Sequence, residues 1–207
     1  MNKGIKTMKH VLTAACLSGA VALAAGPALA QSHGDWTFGI GVASVDPSSD
    51  NGTLAGSNVS VASDESLIFT VEYFVRDNLG IELLAATPFE HDITIDGVGE
   101  ASTKHLPPTL SLNYHFTNDS AWKPYVGAGI NYTNFFDEET ALGSLDLDDS
   151  FGFAVQAGVD YQISDTGSIR LNIRWFDIDT DAKLDGAPIG TAEIDPLLFG
   201  LSYVHKF

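Results

Sequence analysis

Five charged side chains interrupt apolar, alternating segments of this sequence: Glu72, Glu82, Asp160, Arg170 and Arg174. The carboxylates and guanidiniums in this set can form ion pairs with one another. A charge that is removed from water without a partner is strongly destabilising. If the segments that carry these residues enclose a common interior, we expect the five to pair there as a charged plug that stops free ion flow.

The sequence has no motif that predicts catalysis or metal binding. It contains no Gly-x-Ser-x-Gly, His-Glu-x-x-His or P-loop pattern. The histidines after residue 30 are scattered without the spacing of metal ligands. The acidic run Asp177, Asp179, Asp181 and Asp185 lacks the glycine and glutamate that a calcium loop needs. We therefore predict neither a cofactor nor a metal.

Composition excludes several classes of protein. Of 207 residues, 44% are hydrophobic and 18% are charged, and 10 basic residues against 27 acidic ones give a formal charge of −17. A nucleic-acid-binding face needs clustered Lys and Arg, so no nucleic-acid partner is expected. The hydrophobic fraction is too high for an acidic disordered chain. A single cysteine excludes a disulfide framework and a cysteine-rich metal site.

Residues 1–30 have the pattern of a secretory signal peptide. Three lysines precede an apolar stretch over 11–25, and a small-x-small cleavage site ends at Ala30. This stretch is shorter than the roughly 20 residues of a spanning helix. Lipidation at Cys16 is the alternative, but it would leave a very short apolar stretch. We predict a cleaved signal peptide over 1–30 and one exported domain over 31–207.

Alternation with a period of two residues is the strongest pattern after the signal peptide. In 151–163 every odd position carries an apolar or aromatic side chain, whereas the even positions are small or polar. The alternating segments are long enough for tilted strands that cross a hydrocarbon layer. Eight such segments are predicted as strands: 35–46, 66–76, 79–89, 105–116, 123–136, 151–163, 168–175 and 197–207.

The connections alternate between tight turns and long polar stretches. The long ones, predicted as outer loops, are 47–65, 90–104, 137–149 and 180–193. An up-and-down barrel of the outer membrane has this arrangement of short periplasmic turns and long outer loops. Most acidic residues lie in or beside these stretches. They form either a solvated surface or a rim that shares divalent cations with lipopolysaccharide phosphates.

The predicted fold class is all-β, an eight-stranded antiparallel up-and-down transmembrane β-barrel. Its apolar faces would point to lipid, whereas a soluble lipocalin-like barrel would turn them inward. Aromatic residues at the ends of several apolar faces favour the membrane alternative. Phe207 ends the chain with Tyr203 on the same face, as is typical of a signal for the barrel-assembly machinery. We therefore predict the outer membrane of a Gram-negative bacterium, in contact with its lipid and lipopolysaccharide.

Several stretches of the sequence closely resemble the outer-membrane protein W (OmpW) family. They are DNLGIELLAATPF at 77–89, HLPPT at 105–109, KPYVGAGINY at 123–132, GVDY at 158–161 and DIDT at 177–180. The resemblance covers essentially the whole of the exported chain. It implies an eight-stranded barrel with a narrow lumen, associated with passage of small hydrophobic molecules and with stress responses. Arg174 lies near a lumen position where the family often has an aromatic residue, which argues against an entirely apolar conduit there.

Apolar side chains on the inward faces are expected near the outer mouth, above the charged plug. An eight-stranded barrel encloses only side chains or one small ligand, so these residues form either a pocket for a small hydrophobic ligand or a packed cap. If the plug closes the inner end, release would have to run sideways between strands into lipid. The predicted ligand and lumen residues are Leu84, Ala86, Pro88, Pro107, Phe135, Phe176, Ile178 and Leu198.

The sequence leaves three functions to compare. The first, which we predict, is a non-enzymatic barrel that binds small hydrophobic molecules and passes them across the outer membrane. The second is a non-transporting surface or envelope protein that acts in a stress response or as a docking site for phage, toxin or host molecules. The third is a lipid-modifying enzyme that uses Ser102 and His105 at the mouth.

Overall fold

The computed structural model describes residues 31–207. The predicted signal peptide over 1–30 lies outside the described residues. Residues 31–207 contain no helix long and apolar enough to cross a membrane. The strands are β1 (Trp36–Asp46), β2 (Gly52–Leu54), β3 (Ser57–Val61), β4 (Asp64–Arg76), β5 (Leu79–Ala86), β6 (Phe89–Ile95), β7 (Gly99–Leu106), β8 (Thr109–His115), β9 (Trp122–Thr140), β10 (Leu145–Leu147), β11 (Ser150–Gln162), β12 (Gly167–Phe176), β13 (Asp179–Leu184), β14 (Ala187–Glu193) and β15 (Leu197–Lys206).

Eight of these strands close into a barrel in which every neighbouring pair is antiparallel. The order around the ring is β1, β4, β5, β8, β9, β11, β12 and β15, and β15 pairs back onto β1. Closure leaves no free sheet edge, which a strand in lipid could not satisfy. The predicted eight-stranded antiparallel barrel is confirmed.

The outer surface of the barrel wall is apolar and its inner surface is mixed. In β5, Ile81 and Leu83 are exposed, whereas the residues that alternate with them, Glu82 and Leu84, are each only 1% exposed. Alternating side chains of a strand point to opposite faces, so a single polarity pattern runs around the ring. A surface with this many exposed large apolar side chains is stable only against lipid.

The four long stretches that we predicted as outer loops are largely strands, so the prediction of loops is wrong. β2, β3, β6, β7, β10, β13 and β14 and the end of β9 pair into hairpins that continue the wall beyond the apolar belt. Outside the bilayer the polarity of the two faces reverses. In β6, Phe89 and Ile93 are buried while Glu90 and Asp92 are exposed. Water now lies on the outer face, so the apolar side chains pack inside.

One interruption of the wall lies between 85–88 and 106–108. Register pairs between β5 and β8 end at Leu84 and Thr109, and pairing resumes between β6 and β7 at Phe89 and His105. In the part of the chain that the structure describes, no register pair joins the two stretches between these points. Pro107 has no N–H to donate, and its carbonyl accepts hydrogen bonds from the side chains of Asn131 and Thr109 instead. We call this interruption the wall seam.

Candidate functional site

The five residues predicted as a charged plug pair with one another inside the barrel. Arg170 donates to Asp160 through Nε at 2.7 Å and Nη2 at 2.9 Å, to Glu82 through Nη1 at 2.7 Å, and to Glu72 through Nη2 at 3.4 Å. Arg174 Nη2 donates to the other carboxylate oxygen of Glu82 at 2.8 Å. All five side chains are at most 3% exposed. Charges buried this deeply are stable only when they are paired and hydrogen-bonded.

The barrel register explains why the two arginines are needed. Glu72 and Glu82 stand directly opposite each other on β4 and β5, and like charges in that position repel. Arg170 reaches both from across the lumen, while Asp160, its direct register partner on β11, completes its coordination. The plug is therefore assembled from strands that are distant in sequence.

Four further residues belong to the plug, and the sequence analysis did not single them out. Asn113 Nδ2 and His115 Nε2 lie 3.0 Å and 2.9 Å from Glu72 Oε1. Gln156 bridges the group by donating to Glu82 and accepting from Arg174. The ring of Tyr125 lies under the Arg170 guanidinium, 4.5 Å from its Cζ, which is a cation–π contact. The alternation in the sequence places these four residues on inward faces of strands. No distinctive spacing, however, shows which inward polar residues contact the charged group.

Seven of the eight predicted ligand residues lie inside the barrel. Leu84, Phe176, Ile178 and Leu198 are at most 1% exposed and belong to one apolar cluster above the plug. Phe135 belongs to the same cluster, Ala86 is partly buried against it, and Pro107 is buried beside the wall seam. The cluster is well packed, so in this structure the interior around these residues is filled by side chains.

The position predicted for Pro88 is wrong, because its side chain is exposed on the outer surface. The chain leaves the strand conformation at Thr87 and Pro88 before β6 begins. The break shifts the alternation by one residue, so Phe89, with no exposed surface, takes the inward place expected for Pro88. A shift of one residue turns every later side chain to the other face.

A small cavity of about 20 Å³ lies in the outer extension of the barrel. Its walls are mostly aliphatic and include Ile93, Ile95 and Ile194, and among the predicted ligand residues Phe135 is the one that lines it. That volume holds about one water molecule. We call this cavity the outer chamber. The structure is therefore in a closed state, in which a hydrophobic ligand would have to displace side chains.

Two stacked histidines lie beside the outer chamber. The rings of His91 and His105 are 4.9 Å apart at their centroids and 12° from parallel, and the ring of Phe89 lies 5.5 Å from His105 and 6.4 Å from His91. Both histidines belong to the β6–β7 hairpin, outside the apolar belt. Burial lowers the pKa of His105 to about 3, with a further contribution from His91. Burial also lowers the pKa of His91, so both rings are neutral at neutral pH.

The structure does not support the arrangement considered for a lipid-modifying enzyme. His105 is buried in the lumen, whereas Ser102 has the opposite parity on β7 and is partly exposed outside. A nucleophile and its base must lie within hydrogen-bonding reach of each other. Within residues 31–207, no three His, Cys, Asp or Glu side chains are grouped so as to hold a metal ion.

The two aromatic residues predicted as an assembly signal face outward at the end of the last strand. Phe207 is 75% exposed and Tyr203 is 41% exposed. The backbone N–H of Phe207 donates to the carbonyl of Trp36, which ties the end of the chain to β1. Recognition by the assembly machinery stays a prediction.

A closed eight-stranded barrel with an apolar outer belt and a charged interior is the architecture of a transmembrane barrel of the outer membrane. Residues 32–207 match the model of the OmpW family. The chain belongs to the OmpW family, and its location is the outer membrane of a Gram-negative bacterium.

The similarity to known proteins covers most of the chain. Outer membrane protein W of Escherichia coli is 40% identical over 95% of this chain and 99% of its own length. The crystal structure of the outer membrane protein OprG from Pseudomonas aeruginosa covers 86% of this chain and 98% of its own, with 34% identity and a TM-score of 0.75. A dibenzothiophene metabolism operon protein, PahQ of Pseudomonas aeruginosa, is 26% identical over 83% of this chain and 88% of its own length.

Proposed function

We propose that this barrel binds small hydrophobic molecules at its outer end and passes them sideways through the wall seam into the outer membrane. The role is non-catalytic. The observation that carries the proposal is a continuous apolar interior above a closed charged plug, next to a stretch of wall without strand pairing.

The interior above the plug is suited to an apolar molecule. Eighteen buried hydrophobic residues form one cluster that begins at Leu84 and Leu198 and reaches the outer chamber. Removing apolar surface from water is favourable, so a hydrophobic solute gains by entering this region from the polar outer surface.

The charged plug makes straight passage to the periplasm unfavourable for such a solute. To pass, the solute would have to separate Arg170 and Arg174 from the buried carboxylates with which they pair. A buried charge that has lost its partner is strongly destabilising. A sideways exit avoids that cost. Between the described residues 85–88 and 106–108 no backbone hydrogen bond crosses the wall seam. The outer surface there is in the apolar belt, where Pro108 and Leu110 are exposed.

One relative gives independent support for the class of ligand. The printed name of PahQ places that protein in a dibenzothiophene metabolism operon, and dibenzothiophene is a small aromatic, poorly water-soluble compound. We extend only this chemical class, small and hydrophobic, to the present chain.

The test is uptake of a hydrophobic dye by vesicles whose outer leaflet is lipopolysaccharide and which contain the refolded barrel. Leu84→Arg and Phe176→Arg each place an unpaired charge in the apolar cluster, and we expect either change to reduce barrel-dependent uptake at least about tenfold. Leu84→Met keeps the size and polarity of the side chain and is the matched control, with unchanged uptake expected.

A second substitution tests the proposed sideways exit through the wall seam. Pro107→Val adds an N–H at the wall seam, so that β5 and β8 can continue their pairing, and we expect slower uptake from a barrel that is no less stable. Wild-type uptake no faster than that of empty vesicles would refute transport and favour the non-transporting surface protein. Normal uptake by Pro107→Val would refute the sideways exit alone.

A further inference from the structure

The outer extension of the barrel has a second interruption, between 134–140 at the end of β9 and 144–149, which includes β10. Register pairs between β9 and β11 end at Thr133 and Ser150. Beyond that point, and within the described residues, no register pair joins the two stretches, although they lie side by side. The turn at 141–143 closes the outer end of this interruption. We call it the outer gap.

Each flank of the outer gap is held by its other neighbour. The end of β9 pairs with β7, where His105 and Phe135 are register partners. On the other flank β10 pairs with β13, and the backbone N–H of Asp148 donates to the carbonyl of Asp181 at 3.0 Å. The two flanks can therefore move apart without the loss of any strand pairing, which is the main cost of opening a sheet elsewhere.

The outer chamber borders on the outer gap. Phe135 on one flank and Leu145 and Leu147 on the other all line the chamber. Phe135 and Leu147 are buried, whereas Leu145 is only partly buried and lies nearer the surface. The accessible wall of the chamber is wholly apolar. A hydrophobic molecule that passes between the flanks would therefore leave water for apolar surface at once, which is favourable.

Exposed apolar side chains lie at the outer end of the gap. Leu142, in the turn that joins the two flanks, is 41% exposed, and Val98, in the β6–β7 turn, is 40% exposed. A Cβ placed on Gly99 would lie 3.1 Å from Leu142 Cδ1, so the two turns are in contact. The surroundings are acidic and include the exposed Glu100 and Glu139. This apolar patch is thus a first contact for a hydrophobic solute on a polar outer surface.

One carboxylate bridges the inner end of the outer gap. Asp149 accepts hydrogen bonds from the hydroxyl of Tyr132 through Oδ2 and from Asn134 Nδ2 through Oδ1, the latter at 2.8 Å. The backbone N–H of Phe135 also donates to Asp149. These contacts join the two flanks at the point where strand pairing stops. They lie at exposed positions, so water can replace the donors when the flanks separate.

We propose that the outer gap is the entrance through which small hydrophobic molecules reach the outer chamber, and that Asp149 is the latch that limits its opening. The inference rests on the proposed function and adds a point of entry to the exit at the wall seam. The solute first contacts Leu142 and Val98, and the flanks separate as Asp149 exchanges its protein donors for water. Because the closed chamber holds about one water molecule, the solute displaces Leu145 as it enters.

A disulfide across the outer gap tests the entrance directly. Residues 31–207 contain no cysteine, so Asn134→Cys with Asp149→Cys introduces the only two thiols of the exported chain. The two native side chains are in contact at 2.8 Å, which is compatible with the geometry of a disulfide. The assay is dye uptake by vesicles with a lipopolysaccharide outer leaflet. We expect oxidation to slow barrel-dependent uptake at least about fivefold, and reduction of the same sample to reverse the effect.

The matched control is a disulfide on the side of β10 that is already paired. Asp146 and Lys183 are direct register partners on β10 and β13. A bridge formed by Asp146→Cys with Lys183→Cys therefore constrains the same hairpin without crossing the outer gap. Uptake by this control should be equal in its oxidised and reduced forms.

Removal of the latch should have the opposite effect on uptake. Asp149→Ala deletes the acceptor of three hydrogen bonds across the inner end of the gap, and we expect uptake to rise about threefold. Asp146→Ala removes one negative charge from the same exposed hairpin and should leave uptake unchanged. This pair of variants also tests the entrance if the disulfide across the gap does not form.

Other results would overturn the inference in distinguishable ways. Wild-type uptake together with equal uptake by the oxidised and reduced forms of the test pair would refute the outer gap as the entrance and leave the proposed function standing. Equal slowing of the test pair and the control pair on oxidation would point to stiffening of the outer hairpins, and would also refute it. Uptake that does not rise in Asp149→Ala would refute the latch. Wild-type uptake no faster than that of empty vesicles would refute the proposed function, and this inference with it.

Discussion

Arg170 is the residue on which the charged plug depends most, and Arg170→Met tests that role. Its guanidinium contacts three carboxylates, Asp160 at 2.7 and 2.9 Å, Glu82 at 2.7 Å and Glu72 at 3.4 Å. After the substitution, Arg174 is the one guanidinium left within the plug for three buried carboxylates. Removing one partner of a buried ion pair costs about 3–5 kcal/mol. We expect the free energy of unfolding to fall by that amount.

The assay is urea unfolding of the barrel in lipid vesicles, followed by tryptophan fluorescence and by the mobility of the folded form in gels. Lys183→Met is the matched control. It removes an ion pair with Asp148 at 2.6 Å, nearly the same length as the 2.7 Å pairs of Arg170, but the two side chains are 35% and 47% exposed. A pair in that position contributes about 0–1 kcal/mol, so burial rather than contact distance should decide the difference between the variants.

A double-mutant cycle separates the ion pair from general damage to packing. Asp160→Asn removes one of the uncompensated charges, so Arg170→Met with Asp160→Asn should lose less stability than the sum of the single changes, by about 0.5–3 kcal/mol. Equal losses for Arg170→Met and Lys183→Met, or strict additivity in the cycle, would refute the argument that Arg170 stabilises the lumen by compensating buried charge.

Two further predictions concern the outer hairpin and the packing beneath the plug. Burial lowers the pKa of His105 to about 3 from 6.5, so the β6–β7 hairpin has its full stability above pH 6.5 and loses it as the pH falls towards 3, at about 1.4 kcal/mol per pH unit. Amide hydrogen exchange in β6 and β7 should be faster at pH 5 than at pH 7 after correction for intrinsic rates; the same acceleration in His105→Phe would count against this explanation. Gly158→Ala places a Cβ 2.5 Å from the ring of Tyr125, so we expect a loss of about 1–3 kcal/mol in the urea assay, and wild-type stability would show that Tyr125 can move away from Arg170 without cost.

The alternation of apolar and polar side chains along each strand was enough to predict much of this structure from the sequence. Leu83 and Glu82 are neighbours in sequence and lie on opposite faces of the wall, and the same period of two identified the charged residues that meet in the lumen. This works because the side-chain direction of a strand depends only on the backbone of that strand. The membrane barrel and its closed charged interior follow from that pattern together with the family resemblance.

Only the tertiary structure decided the features that depend on pairing between distant segments. One irregular residue at the Thr87–Pro88 break exchanges the inward places of Pro88 and Phe89. Pro88 is a residue type that interrupts strands, but its presence does not show that the alternation shifts by one residue there. The hairpins beyond the membrane carry apolar residues inside and acidic residues outside. This is the reverse of the pattern in the apolar belt, so these segments were predicted as polar loops rather than as strands. The contact between His91 and His105, like the wall seam, arises from interstrand register, and register is set by the whole closed ring rather than by either strand alone.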